Sequence, residues 1–287
     1  MTRDIHDIFD VILKIIIAVY GTIFLNFMGI CGEIEEVLSV EITTLTGTKL
    51  YLDFLCLLKD GTLCHVEFQY PHAKPEDLNR FFNYNISAEF KYQKRAETHV
   101  FNFDFRKTES KIKRIGKTKC YRPIHFFLGD VDFEEHMDNI NIKVKSNKTL
   151  TNIEEIVLML IPVFPKFEGD VEILKWISNI LLKKELFDNT KYDFIQAVVG
   201  LEIENFLSLE EQNEIKEVVK MTPQAQEIVL RAIHEVNQKT LYEAKQEAKL
   251  EAREEMMIEF AKAFKNQVDI EELSAFTGLS IEEINNL

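Results

Sequence analysis

The chain has 287 residues, enough for one large domain or two smaller ones. Acidic residues outnumber Lys and Arg by 48 to 34, and the formal net charge of −14 excludes a protein that coats nucleic acid through positive charge over its whole surface. The four cysteines show no CxxC spacing, so the sequence predicts free thiols in a reducing cytoplasm.

The most apolar segment runs from residue 11 to residue 31 and is about long enough to cross a bilayer. Lys14 and Asn26 interrupt it, two glycines weaken it as a helix, and no basic cluster flanks it. The pattern favours a buried helix over a membrane anchor, and fractionation without detergent would decide between them. Asp7 and Asp10 precede the segment, where acids stabilise the dipole of a helix.

Residues 49–69 contain two runs of β-forming residues on either side of a turn, which predicts a β-hairpin. A two-residue turn would place an acid opposite an apolar residue at two positions. A three-residue loop from Lys59 to Gly61, with Gly61 in the left-handed conformation, pairs Phe54 with Val66 instead. That register makes one face of the hairpin almost wholly apolar, so we predict the three-residue loop.

The other face of this hairpin carries polar residues. The predicted register sets Asp53 opposite Glu67, with His65 and Gln69 two residues to either side. Two carboxylates beside an amide oxygen are a donor set suited to a hard cation. Acids on the wet face of a hairpin are more often simply solvated, so the spacing alone leaves both interpretations open.

The residues around the two acids resemble a nuclease superfamily. The resemblance is carried by Leu52-Asp53, the hairpin, Val66-Glu67-Phe68-Gln69, and then Asn79-Arg80-Phe81-Phe82-Asn83-Tyr84. This order is similar to that of the PD-(D/E)XK nuclease superfamily and, within it, of the transposase-associated group of recombination-promoting nucleases. The chain's last residues, from Phe276 to Ile284, are also similar to the tails of this group.

The resemblance implies an α+β fold with a restriction-endonuclease core, in which a central mixed sheet is flanked by helices. It also implies a metal-dependent DNA endonuclease, a hydrolase of phosphodiester bonds associated with DNA recombination or transposition. In that case Asp53 and Glu67, with the main-chain carbonyl of Phe68, would bind Mg²⁺ or Mn²⁺. The alternative is a catalytically inactive relative of mobile elements that acts as a DNA- or protein-interaction module.

One position departs from the pattern of the superfamily, because Gln69 stands where most members carry Lys. An amide cannot deprotonate water, although it can orient a water or ligate through its oxygen. A helix is predicted at 76–97, and its Arg80 and Lys91 are the candidates for the missing positive charge. These three residues join the two acids as the predicted catalytic set. Glu-x-Gln variants are typical of the resembling group, so the departure does not by itself imply inactivity.

From the last turns of this helix onward, basic residues outnumber acidic ones. From Lys91 to Arg122 there are eleven Lys or Arg and three acids, a local charge of +8. We predict that this stretch binds the phosphate backbone of DNA beside the acids, with an ordinary solvated loop as the alternative. Strands are predicted at 99–105 and 121–128.

The pattern turns helical after residue 147. The sequence therefore predicts a nuclease domain at 1–147, a helical domain at 148–240, and a long helix with a two-helix tail at 241–287. The long helix has a thin apolar stripe, which is compatible with a homodimer and with a monomer. The second tail helix has no Lys or Arg and therefore suits protein contact better than the DNA major groove.

Overall fold

The structure is a computed structural model that describes residues 5–43, 49–70, 72–74, 77–103, 113–115, 119–215, 221–265 and 268–287. The chain divides into two compact units, Met1–His234 and Glu235–Leu287, whereas the sequence analysis divided it after residues 147 and 240. A mixed sheet flanked by helices and a helical C-terminal region confirm the predicted α+β fold class.

Within the described residues, strands occur only in the first unit. Its strands are β1 (Ile34–Val37), β2 (Glu41–Thr43), β3 (Lys49–Tyr51), β4 (Phe54–Leu58), β5 (Leu63–Gln69), β6 (Ala96–Asn102), β7 (Lys113–Ile115), β8 (Lys119–Tyr121) and β9 (Ile124–Phe127). The helices are α1 (Ile5–Phe27), α2 (Asp77–Tyr92), α3 (Phe133–Ser146), α4 (Asn152–Leu160), α5 (Val171–Leu181), α6 (Tyr192–Phe206), α7 (Leu209–Ile215), α8 (Pro223–Phe264), α9 (Ile270–Thr277) and α10 (Ile281–Asn286).

The main sheet has the strand order β1-β4-β5-β6-β9. β1, β4 and β5 are antiparallel neighbours, whereas β5, β6 and β9 run parallel. The carboxyl ends of the three parallel strands therefore share one edge of the sheet, and β4 begins at that same edge. We call this the carboxyl edge. The parallel step from β5 to β6 requires a crossover connection, which α2 provides.

The hairpin of β4 and β5 has the predicted register. Phe54 pairs with Val66, and the main-chain N–H of Leu58 donates to the carbonyl of Thr62 over 2.9 Å. Gly61 has a φ of 89°, which is the left-handed conformation that the three-residue loop requires. The loop and the pairing are therefore confirmed.

A β-prone run near Val40 precedes the hairpin in the sequence, a pattern that predicts a strand leading directly into it. It forms β2, which instead pairs with β3 in a separate two-stranded sheet. The outer neighbour of β4 is β1, a strand that the sequence pattern did not indicate. Three of the four residues of β1 are exposed, so alternation of polar and apolar residues gave no signal for it.

The apolar N-terminal segment forms α1, which lies in the core of the first unit. Ile12, Leu13 and Ile16 are fully buried in this helix. The ring of Phe24 lies 5.8 Å from that of Phe101 on β6, so α1 packs against the face of the sheet opposite α2. By length and composition alone Ile8–Phe27 could cross a membrane, and 61% of its most apolar window is buried inside the protein.

Two of the buried acids in the helices that follow the sheet have different surroundings. Glu155 on α4 accepts a hydrogen bond of 3.0 Å from the hydroxyl of Tyr20 on α1. Glu202 on α6 is fully buried, and neither of its oxygens has a hydrogen-bond partner among the described residues. Burial raises the pKa of Glu202 well above its ordinary value and thereby favours the neutral form of this carboxyl group.

The second unit has a small apolar centre of its own, formed by Ala261, Leu273 and Ile284. Asp269 caps α9, and Ser280 forms a capping box with Glu283 at the start of α10. The two short tail helices that the sequence predicted are therefore present.

Candidate active site

Asp53 and Glu67 meet at the carboxyl edge. The main-chain N–H of Asp53 donates to Oε1 of Glu67 over 3.4 Å, and Oδ2 of Asp53 accepts from the main-chain N–H of Phe68 over 2.8 Å. β4 begins only at Phe54, so no residue of β4 pairs with Phe68. The Asp53 carboxylate accepts the hydrogen bond that a neighbouring strand would otherwise accept from the Phe68 N–H. The N–H and carbonyl of a strand residue point to the same side, so the Phe68 carbonyl faces Asp53 as well.

Both carboxylates are buried rather than solvated. Asp53 is 3% exposed and Glu67 is 2% exposed. The interpretation of these acids as an ordinary wet face is therefore wrong. Its physical reason is the crossover helix α2, whose Tyr84 and Ala88 pack with Leu55 against this face of the hairpin. Two buried carboxylates are strongly unfavourable unless donors or positive charges compensate them.

A buried histidine supplies one of these donors. Nε2 of His65 lies 2.7 Å from Oε1 of Glu67, and the ring is fully buried. On its other side Nδ1 lies 3.2 Å from Oγ1 of Thr98 on β6. Asn85 on α2 donates to the same Thr98 oxygen over 3.2 Å. Glu67 is thus connected by hydrogen bonds to β6 and to α2.

Arg80 on the first turns of α2 supplies positive charge. Burial opposes the charge on its guanidinium, but nearby negative charge, that of Glu67 first, raises its pKa above the ordinary value. Nη2 lies 3.4 Å from Oδ1 of Asp77, and 37% of the side chain is exposed. Nε is buried and has no hydrogen-bond partner among the described residues. Arg80 therefore offers a charged donor beside the acid pair.

The two remaining members of the predicted catalytic set lie in different places. Nε2 of Gln69 donates to the carbonyl of Phe68 over 2.6 Å, so Gln69 borders the acid pair. Lys91 lies eleven residues after Arg80, which at 1.5 Å per residue is about 16 Å along the helix axis. Its Nζ donates to the carbonyl of Glu41 over 3.0 Å. The structure thus brings Asp53, Glu67, Phe68, Gln69 and Arg80 together, and it places Lys91 elsewhere.

The start of α1 also lies at the carboxyl edge. The ring of Phe9 is 4.5 Å from that of Tyr70, which follows β5, and 4.8 Å from that of Phe103, which follows β6. Asp10 is partly buried beside Phe9, whereas the side chain of Asp7 lies outside the described part of the chain. The first turns of α1 therefore lie close to the edge that carries Asp53 and Glu67.

The oxygen donors at the edge fit a small hard cation. Mg²⁺ is usually held by one or two carboxylates and keeps several of its waters, so two acids and one carbonyl are a sufficient protein contribution. Within the described ranges no group of three or more His, Cys, Asp or Glu side chains is arranged to hold a metal. A site at this edge would therefore depend on the Phe68 carbonyl and on water, and a carbonyl has two lone pairs, of which Gln69 takes one.

The predicted phosphate-binding stretch, Lys91 to Arg122, is only partly described. Residues 104–112 and 116–118 lie outside the described ranges. Arg95 forms an ion pair of 3.0 Å with Glu97, and Lys94 and Arg122 are exposed. The local charge of +8 remains a property of the sequence.

Three further polar residues near Glu67 were missed by the sequence analysis: Asn85, Thr98 and Tyr121. The hydroxyl of Tyr121 is buried, and burial together with the charge of Glu67 raises its pKa. Thr98 lies beside His65 only because β5 and β6 pair in parallel in this register. No local pattern in the sequence predicts that register.

Comparison with protein-family models, with curated proteins and with solved structures finds no match. The geometry of the edge residues is therefore the basis for assigning a function.

Proposed function

We propose that the protein is a metal-dependent DNA endonuclease whose centre is the carboxyl edge of the β4–β5 hairpin. The observation that supports this most is that the Glu67 carboxylate contacts the main chain of Asp53 while the Asp53 carboxylate contacts the main chain of Phe68. Two acids that served only solubility would lie in water, whereas these are 3% and 2% exposed. Their burial together is unfavourable for folding and is understandable if the pair binds a cation.

Each edge residue has a chemical role in this proposal. Asp53, Glu67 and the Phe68 carbonyl would hold Mg²⁺ or Mn²⁺. The bound cation would polarise the phosphodiester and lower the pKa of an attacking water. Arg80, whose side chain is 37% exposed, would donate to a phosphate oxygen from its guanidinium group and offset negative charge. Gln69 would orient a water without accepting its proton, because an amide is not a base at neutral pH.

The charge distribution along the chain is consistent with a polyanionic substrate. A chain of net charge −14 carries a local charge of +8 between Lys91 and Arg122, directly after the helix that bears Arg80. We propose the part of this stretch that follows α2, from Lys94 to Arg122, as the contact with the DNA backbone, because the Lys91 side chain donates to the carbonyl of Glu41 instead. The affinity should fall as salt rises. The proposed association with recombination or transposition rests on the resemblance alone, and the proposed cytoplasmic location rests on the free thiols that the cysteine spacing predicts.

One contact favours a second candidate function. The Gln69 side-chain amide donates a hydrogen bond of 2.6 Å to the Phe68 carbonyl. That carbonyl is one of only three protein ligands in the proposed site. A relative of such nucleases that keeps the fold and binds DNA or protein without cutting would be compatible with this contact. Catalysis and binding must therefore be measured separately.

The decisive experiment is a plasmid-nicking assay with Mg²⁺ or Mn²⁺ and an EDTA control. Wild type should cut, and Asp53→Ala and Glu67→Ala should fall to the level of the EDTA control. Lys91→Ala is a matched control, because it removes a charge from the same helix outside the edge, and it should still cut. Cutting that survives both acid substitutions would refute the proposed centre. A folded wild type that binds DNA in a gel shift but never nicks it would favour the second candidate.

A further inference from the structure

A line of buried hydrogen bonds runs from α2 to Glu67. Nδ2 of Asn85 donates to the carbonyl of Ala96 over 2.9 Å and to Oγ1 of Thr98 over 3.2 Å. Thr98 Oγ1 lies 3.2 Å from Nδ1 of His65, whose Nε2 lies 2.7 Å from Oε1 of Glu67. The four side chains in the line are 0–7% exposed. Water therefore does not compete for these bonds.

The residues at the two ends of the line determine which atom donates and which accepts in each hydrogen bond. Asn85 contacts a main-chain carbonyl, so the atom that faces Thr98 is its NH₂ group, a donor. A carboxylate has no hydrogen to give, so the His65 nitrogen facing Glu67 carries the proton. Thr98 accepts from Asn85 and keeps its own hydrogen for Nδ1 of His65. The imidazole is thus held as the tautomer with hydrogen on Nε2.

The hydrogen bonds that Glu67 receives from the described residues all lie on one oxygen. Oε1 accepts from His65 and from the main-chain N–H of Asp53. No residue within the described ranges donates to Oε2. A carboxyl group held at one oxygen by two donors cannot rotate about its last bond without breaking both, so Oε2 keeps a fixed direction.

We propose that His65 is a positioning residue which, oriented by Thr98 and Asn85, holds Oε1 of Glu67 and presents Oε2 to the cation. This inference rests on the proposed function, because it assigns a role to residues behind that site. Partners that hydrogen-bond a metal ligand from behind fix its orientation, and their loss typically weakens metal binding about 10–100-fold. His65 does not touch the substrate in this role.

Tyr121 is the competing partner for Thr98. Its buried hydroxyl lies near Thr98 and Glu67, and a hydrogen bond between Tyr121 and Thr98 would use the same Thr98 hydroxyl that faces His65. If Thr98 gave its hydrogen to Tyr121, His65 would be left without a fixed tautomer. Replacement of Tyr121 by Phe therefore separates the two arrangements.

The first test measures the affinity of the full chain for Mn²⁺ by electron paramagnetic resonance of the free ion. Glu67→Ala should lose binding, and His65→Phe should weaken it about 10–100-fold. Thr98→Val should weaken it about 3–10-fold, the equivalent of one neutral hydrogen bond. The matched variant Thr98→Ser keeps the hydroxyl and should bind like wild type, as should Tyr121→Phe. Thermal unfolding checks that each variant is folded.

The outcomes distinguish this inference from the function on which it rests. Equal Mn²⁺ affinity of Thr98→Val and Thr98→Ser, or wild-type affinity of His65→Phe while Glu67→Ala binds nothing, overturns the positioning role and leaves the metal site standing. A folded wild type that binds no Mn²⁺ overturns both.

The second test reads the tautomer without metal. Nitrogen-15 NMR of histidine-labelled protein should assign the hydrogen of His65 to Nε2, and a His65→Phe spectrum identifies the signal. Thr98→Val should change the Nδ1 resonance, whereas Thr98→Ser should preserve it. Hydrogen on Nδ1 alone would contradict the proposed direction of the line.

Discussion

Glu67 on β5 and Glu202 on α6 are equally buried and have opposite surroundings. Glu67 is 2% exposed and accepts hydrogen bonds from the ring of His65 and the main chain of Asp53, with the charge of Arg80 nearby. Glu202 is fully buried, and the described residues supply no hydrogen bond to it. Burial of a single acid therefore does not distinguish Glu67 from Glu202, whereas the surrounding donors and the second buried acid beside Glu67 do.

The difference has a physical basis in the two elements. A helix satisfies its own main chain, so α6 has no spare N–H groups to offer a side chain in its interior. The start of β4 and the end of β5 leave main-chain groups without a strand partner, and the Asp53 carboxylate and the Glu67 carboxylate take two of them. An edge of the sheet can thus hold a pair of acids that a helix interior cannot compensate.

The largest effect is expected at Glu202. Its pKa is raised in the folded state, so its contribution to stability is fully present below the unfolded pKa of about 4.3 and is lost as pH rises towards the folded pKa. Wild type should lose up to about 1.4 kcal/mol per pH unit relative to Glu202→Gln over this range. Urea unfolding from pH 4 to pH 8 checks this. Parallel stability curves for the two proteins would show that Glu202 has a partner after all.

The second-largest effect is expected at Arg80, which carries the positive charge near Glu67. Arg80→Ala removes a charged donor near the acid pair and should lower kcat/KM for DNA cleavage by about 10–100-fold, the equivalent of one charge-assisted hydrogen bond. Lys91→Ala on the same helix should change it by less than about twofold, because Lys91 lies about 16 Å along the axis. Single-turnover cleavage of a labelled duplex measures both. Equal losses would mean that the helix acts through its overall charge and not through Arg80.

A third glutamate is intermediate between the two. Glu155 on α4 has a raised pKa, mainly from burial, and accepts from Tyr20 on α1 over 3.0 Å. Tyr20→Phe leaves this acid without its side-chain donor and should lower the free energy of unfolding by about 1–2 kcal/mol. Denaturant unfolding at pH 7 measures the loss. An unchanged midpoint would show that one donor contributes nothing to a buried acid, which would weaken the comparison between Glu67 and Glu202.

The smallest effect is expected in the loop that sets the register of Glu67. Gly61 has a φ of 89°, and a Cβ there would meet open space, so backbone strain alone decides the result. Gly61→Ala should lower the free energy of unfolding by about 1 kcal/mol, and Gly61→Asn by less, because Asn tolerates the left-handed conformation. Denaturant unfolding of both variants gives the ranking. The reverse ranking would contradict the three-residue loop.

The local parts of the fold could be predicted from the sequence. Alternation and one glycine were sufficient for the hairpin register, because a shift by one residue would place acids against apolar residues. The same alternation placed Asp53 and Glu67 on the polar face of the hairpin, where acids are more often solvated than buried. That expectation failed because α2 returns over this face, and nothing in the hairpin itself indicates a helix above it.

The residues behind Glu67 could not be predicted. His65 and Glu67 share a face by simple alternation, but Thr98 reaches His65 only through the parallel pairing of β5 with β6. Asn85 joins them only because α2 lies on this face. These contacts join residues that are 13 and 33 positions apart, and their register depends on the length and packing of the crossover.

The most direct test of the central claim is the position of a bound cation. Crystals soaked with Mn²⁺ should give one strong anomalous difference peak at the carboxyl edge, about 2.1 Å from oxygens of Asp53 and Glu67 and from the Phe68 carbonyl. Crystals of Glu67→Ala should lose that peak. A peak at another place, or none at this edge at saturating Mn²⁺, would contradict the assignment of these acids to a metal centre.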